Sequence, residues 1–322
     1  MRRLLAITLL FTLALAVCAA HAQSRPRKLV LREKNRFAAA DAVVMRVQWA
    51  PEGRQIVSAS GGGEAAIWSF TGAAVAKLSG QRSPMFNAVF SPTGDVLATT
   101  GYDGTVRVWK LPGDGTFRVL NVHHAAVNDV AFCGGSDRIV TGSDEGSARL
   151  WDIRSEPKAL ASAAGPGTVR RVACSASRGM FANTFDSGAV QVTTFAGKVV
   201  AHFDTGQHRL NAIAFNPDGK LLLTGSTDGT VKLWSATGHP LLTIRVLEKG
   251  WVNDARFSPD GRMFVVASDD GHVRIYDVAG RLLLDEHVSA ARATTATFNP
   301  DGTLLAGGSS TGEVFLYEVA HE

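Results

Sequence analysis

The sequence has few helix signals and little excess charge, and both absences restrict what the protein can be. Beyond the N-terminus, no long stretch of the 322 residues places apolar residues at helical spacing between capping residues. The formal net charge is only +4 at pH 7, and no basic stripe alternates with aromatic residues. We therefore expect neither a helical protein nor a nucleic-acid-binding surface.

Recognisable catalytic and metal-binding patterns are also missing. Residues 308–310 are Ser-rich but match no nucleophile elbow, and no glycine-rich phosphate loop precedes a helix. His123 and His124 have no Cys or carboxylate at ligand spacing. Three Asp-Gly turns carry an acid that such turns favour for local hydrogen bonding: Asp103, Asp228 and Asp270. We therefore expect no enzymatic activity, no metal and no cofactor.

Long apolar runs are absent except at the N-terminus. Arg2 and Arg3 precede an apolar run over residues 4–17, and an Ala-x-Ala signal follows at residues 20–22. The run is too short for a comfortable membrane span. This pattern predicts a secretory signal peptide over residues 1–22.

The predicted cleavage lies before Gln23, which leaves residues 23–322 as the mature domain. The residue before Cys18 is Val17, so the small residue that a lipoprotein signal needs is absent. No Asn-x-Ser/Thr acceptor occurs, as is common in bacterial envelope proteins. We expect a secreted or periplasmic protein with no membrane span.

The strongest feature is a repeat with a period of 41 or 42 residues. Seven apolar runs end at one series of positions: Trp49, Phe90, Phe132, Cys174, Phe215, Phe257 and Phe298. A second series follows, always 19 residues later: Trp68, Trp109, Trp151, Thr193, Trp234, Tyr276 and Tyr317. Seven units without an insertion between the two landmarks indicate one repeat architecture along nearly the whole chain.

Each unit reads as short strands joined by tight turns. Four units carry a turn in which Pro presets φ and Gly accepts a positive φ, at residues 91–94, 216–219, 258–261 and 299–302. An acid-Gly pair then separates two alternating apolar runs, as at Asp228-Gly229, which predicts a hairpin. A fourth, looser strand precedes the next unit, as at residues 241–246.

This period, with four strands per unit and this turn chemistry, resembles the Trp-Asp-repeat propeller family. The resemblance covers about residues 27–319 and implies an all-β fold, a seven-bladed β-propeller with four-stranded blades. The expected blades are approximately 43–79, 84–122, 126–163, 168–203, 209–246, 251–287, and 292–319 plus 28–33. The seventh unit has no residues left for its fourth strand, so we expect the N-terminal strand to complete it and close the ring.

The resemblance also implies a structural hydrogen-bond network in the third unit. The family's loop His, strand Ser/Thr, turn acid and Trp match only one set here: His123, Thr141, Glu145 and Trp151. The fourth unit departs furthest from the pattern. It lacks the Pro-containing turn, and it has Ser187 in place of the turn Asp and Thr193 in place of the aromatic residue.

Removal of residues 1–22 leaves two cysteines. Cys133 and Cys174 fall in adjacent units but in different registers, one at the end of a strand and one within it. An oxidising compartment permits a disulfide, but the bond demands close Cα atoms and converging side chains. We therefore favour two buried thiols acting as small apolar residues.

The candidate partner-binding residues lie where the family places its top face. Trp251 is the one Trp outside the landmark positions, and it lies in the loop before the first strand of the sixth unit. Arg209 and Arg292 occupy the equivalent position in their own units. Phe86 and Arg170 fall two residues further along in theirs, and Tyr102 lies in the turn of the second unit that should point to the same face. Trp, Tyr, Phe and Arg are typical of interface hot spots.

The sequence thus favours a monomeric ring that acts as an extracytoplasmic scaffold, with a partner protein or peptide on its top face. Two alternatives remain, both of them located in the central channel. One is an envelope enzyme of hydrolase or lactonase type, which only analogy to other propellers suggests. The other is a small-ligand sensor, to which Asp129, Asp254, Arg170 and Arg171 would contribute.

Overall fold

Strands account for nearly all regular structure in the computed structural model, which describes residues 28–80, 83–112, 115–165 and 167–322. The predicted signal peptide, residues 1–22, lies outside the described residues. Within these ranges the helical structure amounts to one 3-10 turn, Ala176–Arg178. No helix there is long and apolar enough to cross a membrane.

In the described ranges, the strands form seven antiparallel sheets of four strands, which are the blades of a propeller. Blade one contains β2 to β5 (Val44–Trp49, Gln55–Ser60, Ala65–Ser69 and Ala74–Leu78), and blade two contains β6 to β9 (Met85–Phe90, Val96–Gly101, Thr105–Lys110 and Phe117–Asn121). Blade three contains β10 to β13 (Val127–Phe132, Arg138–Ser143, Ser147–Asp152 and Lys158–Ala164), and blade four contains β14 to β17 (Val169–Ser175, Met180–Phe185, Ala189–Thr194 and Val199–Asp204). Blades five and six contain β18 to β25: Leu210–Phe215, Leu221–Ser226, Thr230–Ser235 and Pro240–Arg245; Val252–Phe257, Met263–Ser268, His272–Asp277 and Leu282–His287. The predicted fold is confirmed.

Blade seven joins the two ends of the described chain. It combines β26 (Ala293–Phe298), β27 (Leu304–Ser309) and β28 (Glu313–His321) with β1 (Leu29–Ala38). β1 pairs antiparallel with β28, with Leu29 opposite His321. The closing strand is therefore confirmed, and it extends beyond the predicted residues 28–33. Closure gives the last blade four strands, the same number as each of the other blades.

A separate hydrophobic cluster fills each junction between neighbouring blades. At the junction of blades one and two, for example, Ile67 and Leu78 pack with Met85 and Trp109. The corresponding cluster of blades seven and one contains Val44 and Leu316. The core is thus a ring of seven interfaces, so each blade is held by both of its neighbours.

The innermost strand of every blade contains a β-bulge at its second residue. The bulged residues, which we call the upper ring, are Met45, Phe86, Asn128, Arg170, Asn211, Asn253 and Thr294. The residues that follow them, the lower ring, are Arg46, Asn87, Asp129, Arg171, Ala212, Asp254 and Thr295. A bulge bends its strand and redirects side chains, so consecutive residues contribute to two levels of one channel.

Cys133 and Cys174 form a disulfide between blades three and four, with Cα atoms 5.5 Å apart. The expectation of two free thiols was wrong. The innermost strands of adjacent blades lie side by side, so residues 41 apart in sequence become neighbours. Cys133 also continues the ladder beyond β10, because its N–H donates to the carbonyl of Arg138. Cys133 and Cys174 differ by one position within the repeat, yet their side chains are close enough to bond.

Candidate functional site

A cavity of about 440 Å³ opens at one end of the central channel, and we call it the mouth. The structure brings all six predicted partner-binding residues to its lining: Phe86, Tyr102, Arg170, Arg209, Trp251 and Arg292. Val43 and Met45 of blade one and Asn128 and Asp144 of blade three also line it. Every blade therefore contributes to one concave surface.

Two aromatic side chains at the mouth are strongly exposed. Tyr102 is 66% exposed and Trp251 is 45% exposed, whereas Phe86 is half-buried. The Trp251 backbone N–H donates to Oδ2 of Asp269 at 3.1 Å, which holds the loop in place while the indole ring remains accessible. Large exposed aromatic groups on a rigid support are suited to binding.

The three predicted arginines of the mouth differ in their partners. Arg170 forms an ion pair with Asp186. Arg209 and Arg292 are exposed, and neither guanidinium forms a hydrogen bond or ion pair with any residue that the structure describes, although both backbone carbonyls accept hydrogen bonds. The mouth therefore presents two unpaired guanidinium groups beside exposed aromatic rings.

Upper-ring side chains connect neighbouring blades around the mouth. Asn128, Asn211 and Asn253 each donate to the carbonyl of the first innermost-strand residue of the next blade, at 3.0, 3.1 and 3.0 Å. Thr294 donates in the same way to the carbonyl of Val44. These bonds stiffen the ring at the level of the mouth.

Two arginines of the lower ring line a second cavity of about 290 Å³ in the channel, and one of them, Arg171, also lines the mouth. Arg46 extends from blade one across the channel, where its Nη2 donates to the carbonyl oxygen of Asn211 at 3.3 Å. Arg171 donates from Nε to the same oxygen at 2.7 Å. Arg46 was not among the predicted residues, although it occupies the same repeat position as Asp129 and Arg171, a register match that could have identified it.

The two lower-ring carboxylates are already engaged. Asp254 pairs with Nη1 of Arg46 at 2.9 Å and Nε of Arg256 at 3.0 Å. Burial raises the pKa of Asp254, but Arg256, Arg46 and the Thr295 hydroxyl together lower it to about 2. Asp254 is therefore ionised at neutral pH.

Asp129 accepts only amide hydrogens among the bonds that the structure shows. Its Oδ1 accepts from the Asn87 side chain at 2.5 Å and the Val130 backbone at 3.1 Å. Its Oδ2 accepts from the Val172 backbone at 2.9 Å. In the described ranges, no group of three or more His, Cys, Asp or Glu residues could hold a metal ion.

The network of blade three lies apart from the channel, as a chain of side-chain hydrogen bonds. Thr141 Oγ1 lies 2.9 Å from Trp151 Nε1 and 2.7 Å from His123 Nε2. His123 Nδ1 lies 2.9 Å from Glu145 Oε1. Burial lowers the pKa of His123, which favours the neutral ring donating to Glu145 and accepting from Thr141.

Blade five contains a related network that sequence comparison missed. Gln207 takes the place of the loop His and accepts from Thr224 Oγ1 at 2.6 Å. Trp234 donates to the same Thr224 at 3.0 Å. The amide of a Gln side chain offers both a donor and an acceptor, as a neutral His ring does. A sequence pattern defined by His alone therefore does not match the network of blade five.

Blade four has lost this network. Asn183 of β15 takes the position of the buried Thr, but Thr193 replaces the Trp that would reach it. The amide of Asn183 is fully buried, and neither its oxygen nor its nitrogen has a partner among the described residues. The 3-10 turn Ala176–Arg178 replaces the Pro-containing turn of other blades. Blade four is therefore the least regular of the ring.

Comparison with known proteins supports this architecture. The family model WD40, described as WD domain, G-beta repeat, matches residues 72–110, 115–152, 195–235 and 238–277. An uncharacterised WD-repeat-containing protein of Synechocystis sp. is 33% identical over 210 residues, covering 65% of this chain and 62% of that protein. A second WD-repeat-containing protein of Synechocystis sp. is 35% identical over 221 residues, covering 69% of this chain and 67% of that protein.

A more distant relative has a named role. The guanine nucleotide-binding protein subunit beta of Oryza sativa subsp. indica is 27% identical over 224 residues, covering 61% of this chain and 57% of that protein. This chain thus spans about three fifths of the length of that subunit and of the first Synechocystis protein. The repeat matches, these relatives and the seven four-stranded blades show that the chain belongs to the WD-repeat family of β-propellers.

Proposed function

We propose that this protein is an extracytoplasmic scaffold that binds a partner protein or peptide at the mouth. WD-repeat propellers typically serve as protein-interaction scaffolds. The observation that carries the proposal is the convergence of exposed Trp251 and Tyr102 with unpaired Arg209 and Arg292 on one concave surface. Aromatic and Arg side chains dominate binding energy at protein interfaces.

The chemistry of the mouth favours a partner that combines acidic and apolar groups. A carboxylate can pair with Arg209 or Arg292 in a bidentate geometry, which neither guanidinium makes within the described chain. The indole of Trp251 offers a large apolar area with little loss of side-chain entropy. The ring is already stiffened by the upper-ring bonds, so binding has little ordering cost.

Two observations support a location outside the cytoplasm. The Cys133–Cys174 disulfide is typical of oxidising compartments, since cytosolic thiols are kept reduced. The pattern at residues 1–22 is that of a secretory signal peptide.

The channel offers little support for the enzyme alternative. Asp129 and Asp254 hold ion pairs or several hydrogen bonds, so neither carboxylate is free to act as a general base or nucleophile. We accordingly propose a binding role without catalysis.

Affinity capture with matched baits tests the proposal. Immobilised wild-type protein and a Trp251→Ala variant are exposed to the same native envelope extract. We expect a protein that the wild type retains to be lost with Trp251→Ala, and its purified form to bind wild type at least about tenfold more tightly, because central Trp residues often contribute 2 kcal/mol or more.

The control is Phe70→Ala, which removes a similarly exposed aromatic side chain (50%) in the turn after β4, at the opposite end of the strands. This variant should retain the partner. Equal retention by all three baits would exclude the mouth as the contact surface, and capture of nothing above a blank matrix would count against the scaffold function.

A further inference from the structure

Arg46 and Arg171 of the lower ring line a channel cavity whose arginines outnumber its aspartates. The channel cavity is lined by three arginines, Arg46, Arg171 and Arg256, and by two aspartates, Asp129 and Asp254. Asp254 lies between Arg46 and Arg256 and pairs with both. Arg171 has no carboxylate within hydrogen-bond distance among the described residues.

Arg46 is buried with part of its hydrogen-bonding capacity unused. The residue is 3% exposed, and neither Nε nor Nη1 has a hydrogen-bond partner in the described chain. Nη1 lies 2.9 Å from Asp254 Oδ1, close enough for an ion pair but outside hydrogen-bond geometry. A buried charged donor without an acceptor is costly, and natural proteins rarely leave one.

Arg46 and Arg171 compete for one neutral acceptor. Both guanidinium groups donate to the Asn211 carbonyl oxygen, so two positive charges face each other beside an open cavity. The remaining side-chain hydrogen bond of Arg171 is also to a carbonyl, that of Arg170, at 3.2 Å. Enclosure and the charge of Arg46 lower the pKa of Arg171 to about 9, so Arg171 still carries its charge at neutral pH.

We propose that the channel binds a small oxyanion, a carboxylate or phosphate group, between Arg46 and Arg171. An oxyanion there accepts from both guanidinium groups and balances the excess of one positive charge. The cavity of about 290 Å³ is at the small end of the range for ligand sites, which suits a compact anion. Asp129 and Asp254 are saturated by their own partners and cannot supply this acceptor. This site goes beyond the proposed scaffold function, because it lies beneath the partner-binding surface and needs no partner.

Calorimetric titration of the purified protein tests this inference, with sodium phosphate and sodium acetate as separate probes. Chloride holds the ionic strength constant. We expect saturable binding of one anion per chain for at least one probe, and the two probes together distinguish phosphate from carboxylate. Arg171→Gln should weaken this binding at least about tenfold, since it removes the charge-assisted hydrogen bond that the Arg171 guanidinium donates to the anion.

Matched variants separate a specific site from general electrostatics. Arg262→Gln removes the same charge from an exposed turn outside the channel and should leave the affinity unchanged. Arg171→Lys keeps the charge but loses the planar donor group, so we expect intermediate affinity, and this variant serves if Arg171→Gln does not fold. Absence of saturable heat with both probes, or equal affinity of wild type and the Arg171 variants, would overturn the inference.

Discussion

At the scale of single residues, one buried hydroxyl connects a loop, a strand and a neighbouring aromatic ring. Thr141 binds both His123 and Trp151, and all three side chains are buried. Thr100 is equally buried in β7, yet its hydroxyl has no partner among the described residues. The two threonines therefore provide a matched comparison between a satisfied and an unsatisfied hydroxyl.

Replacement of Thr141 by Val should destabilise the protein by about 1–3 kcal/mol, because it leaves the His123 and Trp151 ring nitrogens without their partner. Thr100→Val should have no effect or raise stability slightly, because it removes an unpaired polar group. Urea denaturation of both variants measures the difference. Equal losses would show that shape at these positions, and not hydrogen bonding, governs stability.

At the scale of strands and blades, irregularity is concentrated where the chain adds a covalent link. Blade four lacks the Trp-centred network and contains the unpaired amide of Asn183. The disulfide attaches its innermost strand, β14, to the residue that follows β10 of blade three. A covalent bond between these strands limits opening of the ring at this junction.

A double variant, Cys133→Ala with Cys174→Ala, should lose about 2–4 kcal/mol of stability, because the bond restricts the unfolded chain over a sequence separation of 41 residues. Chemical denaturation with and without a reductant provides the measurement. Reductant should lower the stability of the wild type to that of the double variant and leave the variant unchanged. If reductant lowers both to the same extent, or neither, the bond does not contribute as proposed.

At the scale of the whole molecule, the ring is closed by strands from distant parts of the chain. β1 and β28 pair across blade seven, and Arg36 and Glu33 of β1 bond to the Tyr317 hydroxyl at 3.1 and 2.9 Å. Three strands of blade seven therefore come from one end of the described chain and the fourth from the other end.

The export hypothesis predicts that the full chain, expressed in a bacterium with a periplasm, appears there with Gln23 as its first residue. N-terminal sequencing and cell fractionation measure this. Leu10→Arg should keep the protein in the cytoplasm, because a charge interrupts the apolar run over residues 4–17. Leu241→Arg adds the same charge to an exposed position of β21 and should be exported normally. Export of both variants would contradict the hypothesis.

The amino-acid sequence alone determined the number and order of the blades. The period of 41 or 42 residues, with Pro and acid-Gly turns at constant offsets, depends on local turn chemistry and alternation, which short stretches of sequence encode directly. The repeat also placed Trp251, just before an innermost strand, and Tyr102, between the second and third strands of its blade, at one end of the channel, because both kinds of connection reach the same face of antiparallel blades.

Only the tertiary structure decided which side chains meet. The bulge in every innermost strand divides consecutive residues into an upper and a lower ring, and no local pattern marks it. Arg46 and Arg171 are far apart in the chain and reach one carbonyl only because the closed ring sets the width of the channel. Contacts across a ring depend on the packing of all seven blades, so they become visible only when the fold is complete.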